Sequence, residues 1–72
     1  MRIATVNVNG IRAAARKGIS GWLEASAPDV LVLQEVRADE TTASSLLPGY
    51  RSEIWPCRIK GRAGVAVAVR ED

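Results

Sequence analysis

Two apolar runs, each closed by polar groups, constrain this chain more than any other feature. One is Thr5-Val6-Asn7-Val8-Asn9-Gly10-Ile11-Arg12, and the other is Pro28-Asp29-Val30-Leu31-Val32-Leu33-Gln34-Glu35. The segment between them has the length of one crossover helix, so the pair reads as a β-α-β unit. Strands joined in this way run parallel, and the connection is right-handed. Both carboxyl ends then lie on one sheet edge, where open α/β sheets place their ligand sites. Asn7, Asn9 and Glu35 converge there, which points to part of a metal-dependent enzyme.

Alternate residues of a strand share a face. Asn7 and Asn9 therefore fall on the face of Ile3 and Thr5, and Glu35 on that of Leu31 and Leu33. The run 30–33 is apolar on both faces, as in a strand covered on both sides. An ionised Glu at the rim of such a layer is costly unless paired, hydrogen-bonded or metal-bound. Mg²⁺ suits the position, because it takes hard oxygen ligands and often uses one or two carboxylates plus substrate phosphates.

The rest of the pattern extends this plan. Residues 3–8 read as a strand, and Asn9-Gly10 is a turn signal. Ala15, Ile19, Trp22, Leu23 and Ser26 recur at helical spacing. Gly18 and Gly21 each cost about 1 kcal/mol inside a helix, which places the start of the regular helix near Lys17. Pro28 closes it. Residues 30–35 form the second strand, 36–42 a polar loop and 42–47 a short helical turn. The segments 50–56 and 65–69 pair as an antiparallel hairpin about a turn at 60–64.

The expected fold is α/β: a partial layered sandwich with a β-α-β unit followed by a β-hairpin. One helix cannot cover both faces of a four-stranded sheet, and the sheet keeps open edges. The chain of 72 residues therefore reads as the first part of a larger domain. A chain this short buries only about 60% of its unfolded surface.

Composition excludes some chemistries. There is no histidine, so any acid, base or stabilising cation of that type must come from outside these residues. The single cysteine, Cys57, forms no intrachain disulfide and no cysteine zinc site; it reads as a small, inert, half-buried residue. The opening residues lack a signal-peptide pattern, and no run approaches the ~18 apolar residues of a membrane span. A cytoplasmic location fits these features. The formal charge of +2 permits contact with a phosphate backbone without arguing for it. Arg58, Lys60 and Arg62 read as a solvated turn.

Four pieces in order resemble the exonuclease III / AP endonuclease family of the endonuclease–exonuclease–phosphatase superfamily. Asn7-Val8-Asn9-Gly10-Ile11-Arg12-Ala13 is similar to its opening motif, and Gly18-Ile19-Ser20-Gly21-Trp22-Leu23 to its first helix. Residues 28–35 are similar to its second motif, and Gly64-Val65-Ala66 to the start of a later strand. The Asn-Gly-Ile-Arg-Ala wording favours the DNA-repair branch over the lipid- and inositol-phosphate branches.

The resemblance implies a DNase I-like fold and Mg²⁺-dependent hydrolysis of DNA phosphodiester bonds, with Mn²⁺ as an alternative ion. The implied substrate is double-stranded DNA with abasic sites or 3′ ends, and the implied parent is a monomer. Glu35 corresponds to the metal-binding Glu, and Asn7 to the Asn beside metal and scissile phosphate, so the resemblance implies that both are catalytic and that both serve the metal. Asn9 either assists or is a turn residue, and Asn7 could be only a polar strand cap. Arg12 supports a loop near the phosphate or, the reading preferred, is solvated. Val6 stands where relatives have Trp or Phe, and Val36-Arg37 where they often have Thr-Lys. The family's Asp-x-Asn motif, downstream tyrosine and Asp-His pair have no counterpart. A non-catalytic remnant or small binding module, and another phosphodiesterase or phosphatase of the superfamily, are the competing readings.

Overall fold

The computed structural model describes residues 1–56, 58–59 and 62–71. Cys57, Lys60 and Gly61, read above as an inert thiol and part of a turn, lie outside the described residues. In chain order the elements are β1 (Ile3–Asn7), α1 (Ile11–Arg16), α2 (Ile19–Ser26), β2 (Val30–Gln34), α3 (Glu40–Ser45), β3 (Tyr50–Trp55) and β4 (Val65–Arg70). The strands form one sheet in the order β1-β2-β4-β3. β1 and β2 are parallel, and β4 runs antiparallel to both β2 and β3. The β-α-β unit and the hairpin therefore share one sheet, as the α/β reading requires.

The crossover differs from expectation. Helical structure begins at Ile11, not near Lys17, and the connection is two short helices. The break falls at Gly18, whose φ of 95° is a left-handed conformation that glycine adopts without penalty. Gly21 is carried inside α2. The early start has a tertiary cause: Ile11 N–H donates to the Val36 carbonyl at 2.9 Å, satisfying a donor that a free helix end would leave open. Ala27, in the left-handed region at φ 45°, ends α2 just before Pro28. The third helix also starts earlier than the 42–47 turn, because Asp39 caps it by accepting from Thr42 N–H at 2.8 Å.

The core lies on one face of the sheet. Leu31, Leu33, Ala66 and Ala68 are fully buried there, with Ile11, Val36, Ala43 and Leu47 packed over them. Alternation sends Ile3, Thr5, Val30, Val32, Val65, Val67, Val69 and Trp55 to the other face. Ile3 is 65% exposed, Trp55 56% and Val69 49%. β2 was expected to be covered on both sides. Here the helices cover one side, and the second valine-rich side faces solvent.

The end of the sheet remote from the Asn7–Glu35 edge is tied by Asp29. Its carboxylate accepts from the Arg2 main-chain N–H at 2.7 Å and pairs with Arg70 at 2.5 Å. The Arg2 hydrogen bond, then Arg70, hold this carboxyl below the ordinary range despite some desolvation. Tyr50 Oη donates to the Pro28 carbonyl at 2.8 Å. These contacts fix the entry of β2 against β1, β3 and β4.

Val6 borders an open groove of about 490 Å³ shared with Ala14, Ile19 and Trp22. This groove is where an aromatic side chain from β1 would lie. Val6→Trp is expected to fill it and stabilise the chain by about 1 kcal/mol, because extra apolar area leaves water without overpacking. A thermal melt should rise by about 4–8 °C. A lower melting temperature would show that the groove cannot admit the ring.

Candidate active site

The site sits at the carboxyl ends of β1 and β2, and hydrogen bonds between the two following loops build it. Val8 N–H donates to the Gln34 carbonyl at 3.0 Å, which extends the parallel pairing one step past β1. Gly10 N–H then donates to the Glu35 carbonyl at 2.7 Å. Asn9 and Gly10 both have positive φ, 47° and 91°. That tight turn lets the 9–11 backbone fold over residues 35 and 36.

β2 stops at Gln34, one residue earlier than expected. Glu35 has φ 53° and leaves the strand alternation. Its carboxylate therefore does not follow Leu31 and Leu33 onto the buried face. It turns instead to Asn7, whose Nδ2 donates to Oε2 at 2.5 Å. The other oxygen, Oε1, accepts from Arg37 Nη2 at 2.8 Å. Asn7, then Arg37, hold the Glu35 carboxyl below its ordinary range, outweighing desolvation. Glu35 is thus a fixed anion at neutral pH.

Asn7 is fixed at both ends of its amide. While Nδ2 faces Glu35, Oδ1 accepts from the Asn9 main-chain N–H at 3.0 Å. In this geometry Asn7 aims the carboxylate and does not present an oxygen beside it. Asn9 contributes its main-chain N–H and its turn conformation. Arg12 is exposed, and its Nη2 lies 3.5 Å from the Arg37 carbonyl, a contact at the limit of a hydrogen bond. Gln34 Nε2 donates to Thr5 Oγ1 at 2.7 Å, a further tie between the two strands.

Sequence reasoning assigned no role to three residues that stand at this edge. Arg37 pairs with Glu35, and Arg62 and Ala63 complete the mouth of the hollow around them. The signal for Arg37 was present as a Glu-x-Arg spacing after the second strand. Arg62 gave none, because it stands far from Glu35 in the sequence. Arg37 N–H donates to the Ala63 carbonyl at 2.7 Å, and Val36 N–H to that of Gly64 at 3.0 Å.

A divalent ion would find one partly exposed carboxylate here, with Asn7 on one oxygen and Arg37 on the other. Among the described residues no group of three acidic, cysteine or histidine side chains exists to enclose it. Glu35 therefore fits as one anchor of a Mg²⁺ site completed by water, phosphate oxygens or other residues.

Comparison with known proteins gives this geometry a family. Residues 4–72 match the model of the Endonuclease/Exonuclease/phosphatase family. The chain belongs to that family. An AP endonuclease from Archaeoglobus fulgidus is 34% identical over 100% of the chain, with a TM-score of 0.75. A 3′-5′ exonuclease from Neisseria meningitidis is 28% identical over 97%, with a TM-score of 0.73. A 3′ phosphatase from Neisseria, solved with a product DNA hairpin, is 28% identical over 97%, with a TM-score of 0.74. The chain spans 28% of the first of these proteins and 27% of each of the other two. The sheet described above is accordingly a segment of the DNase I-like endonuclease/exonuclease/phosphatase fold. No helix among the described residues is long and apolar enough to cross a membrane.

Proposed function

We propose that this chain is part of a Mg²⁺-dependent DNA-repair nuclease that cuts at abasic sites and trims 3′ ends. Mn²⁺ would serve as an alternative ion. The observation that carries this reading is the Asn7–Glu35 hydrogen bond at the carboxyl edge of a parallel strand pair. It supplies one fixed anion, half open to solvent, in a family of phosphodiester and phosphate hydrolases. The DNA hairpin bound to the Neisseria phosphatase supports DNA as the substrate class.

In this reading Glu35 holds the metal and Asn7 holds Glu35. Asn9 shapes the turn that fixes Asn7, and Arg12 braces the loop that carries Arg37. When bound, the metal supplies Lewis-acid stabilisation of the phosphate and lowers the pKa of bound water. Activation of the attacking water and further charge stabilisation fall to residues beyond these 72, since the chain has no histidine. The domain is therefore read as incomplete, and a monomeric parent is proposed on the family resemblance alone.

A second reading, a non-catalytic remnant or binding module, is favoured for the chain in isolation by its lack of a metal-enclosing group among the described residues. Cleavage of a duplex carrying one abasic site separates the two. A protein with this segment inside a complete domain should cut it with Mg²⁺ and stop with chelator, while the 72-residue chain should not cut. No metal-dependent cleavage by the complete domain would overturn the nuclease reading. Robust cleavage by the chain alone would overturn the division of labour.

A further inference from the structure

The Glu35 carboxylate already has a partner on each oxygen, and only one of them is charged. Arg37 Nη2 lies 2.8 Å from Oε1, and neutral Asn7 Nδ2 occupies Oε2. A carboxylate neutralised by a guanidinium offers a divalent ion little net attraction, and the guanidinium repels that ion at short range. Arg37 and an incoming metal therefore compete for the same anion.

The backbone makes this competition a local exchange. Glu35 and Arg37 are both left-handed, with φ 53° and 54°, and Val36 between them is fully buried. Main-chain hydrogen bonds from residues 10, 11, 36 and 37 pin the segment on both sides. The two side chains, by contrast, are 45% and 40% exposed for Arg37 and Glu35 respectively. An ion pair this open is weak, so a metal can break it without moving the loop. Asn7 stays in place, because its oxygen remains tied to Asn9 N–H.

We propose that Arg37 is the resident counter-ion of Glu35, displaced by the divalent metal while Asn7 keeps the carboxylate aimed. The inference rests on the metal-binding role proposed for Glu35. It makes Arg37 a positioning residue with an unusual sign: removing its charge should tighten metal binding.

The test titrates a complete domain carrying this segment with Mn²⁺ alone, read by water-proton relaxation. The Arg37 Cδ lies close to Gly10, and Arg37→Met keeps an apolar stem there while removing the charge. It should bind Mn²⁺ about two- to fivefold more tightly, the range expected for freeing a carboxylate from an exposed ion pair. Arg37→Lys should restore affinity close to that of the unaltered domain, and Glu35→Gln should lose binding. In the unaltered domain, Mg²⁺ should shift the Arg37 side-chain N–H resonance in an NMR spectrum. Equal or weaker Mn²⁺ binding by Arg37→Met, with Glu35→Gln still defective, would overturn the exchange and leave Glu35 as a ligand. Equal binding by the unaltered domain and Glu35→Gln would overturn the ligand role and the inference together. If Arg37→Met does not fold, the resonance decides: no shift on adding Mg²⁺ overturns the exchange.

Discussion

On the proposed metal role, Glu35→Gln is expected to lower Mg²⁺-dependent DNA cleavage by the complete domain roughly a thousandfold or more and to leave the fold intact. The swap preserves size, and the Gln oxygen can still accept from Asn7 Nδ2. What disappears is the negative charge that, on the proposed role, holds the ion. Folding should survive because the Glu35 side chain is partly exposed and its backbone is pinned by Gly10 and by its buried neighbour Val36. Excess Mg²⁺ should recover part of the rate, because the defect is in metal occupancy. The check is kcat and KM for an abasic duplex across a Mg²⁺ series. Turnover within about tenfold of the original at ordinary Mg²⁺ would show that Glu35 is not a metal ligand.

The second large effect concerns stability. Leu33→Ala is expected to cost about 2–5 kcal/mol, a large share of the roughly 4–11 kcal/mol available to a chain this size. Leu33 is fully buried, and its sheet partners on that face are Val6 and the small Ala66. Small neighbours cannot move in to fill the space, so a cavity persists. Loss of a cooperative thermal transition by circular dichroism is the expected result. Val32→Ala, one residue away on the uncovered face, should cost less than about 1 kcal/mol. Similar losses at both positions would contradict the one-sided core.

The sequence made the strand pair legible because its signal is strong and local. Two short apolar runs, a helix-length spacer and polar ends specify a parallel unit and the edge where it terminates. The meeting of Asn7 with Glu35 followed from that topology. The side from which Glu35 approaches did not. Parity assumes that a strand continues, and the left-handed conformation at Glu35 stops it at Gln34. The helix start was misplaced for a related reason. Glycine penalties describe a helix standing alone, whereas the Val36 carbonyl supplies a tertiary partner for its first turn. Arg62 was illegible because it lines the same hollow as Glu35 from a segment distant in sequence. The spacing of Arg37 was visible, but a Glu-x-Arg pair on a loop has no chemical meaning until the carboxylate is seen to be shared.

The valine-rich face left open by the helices turns the chain into a reporter of its own surroundings. Val32 and Val67 are register partners in the middle of that face, and Val30 lies two residues before Val32 on β2. If water is its permanent neighbour, lysine at these positions should be accepted as readily as at other exposed sites. If a further layer of protein rests on it, the same lysines bury unpaired charge and should be purged under selection for function. A saturation library scored for survival would separate the two cases at these three codons, with no structure of the whole protein needed. The pattern of forbidden charge would trace the footprint of whatever rests there.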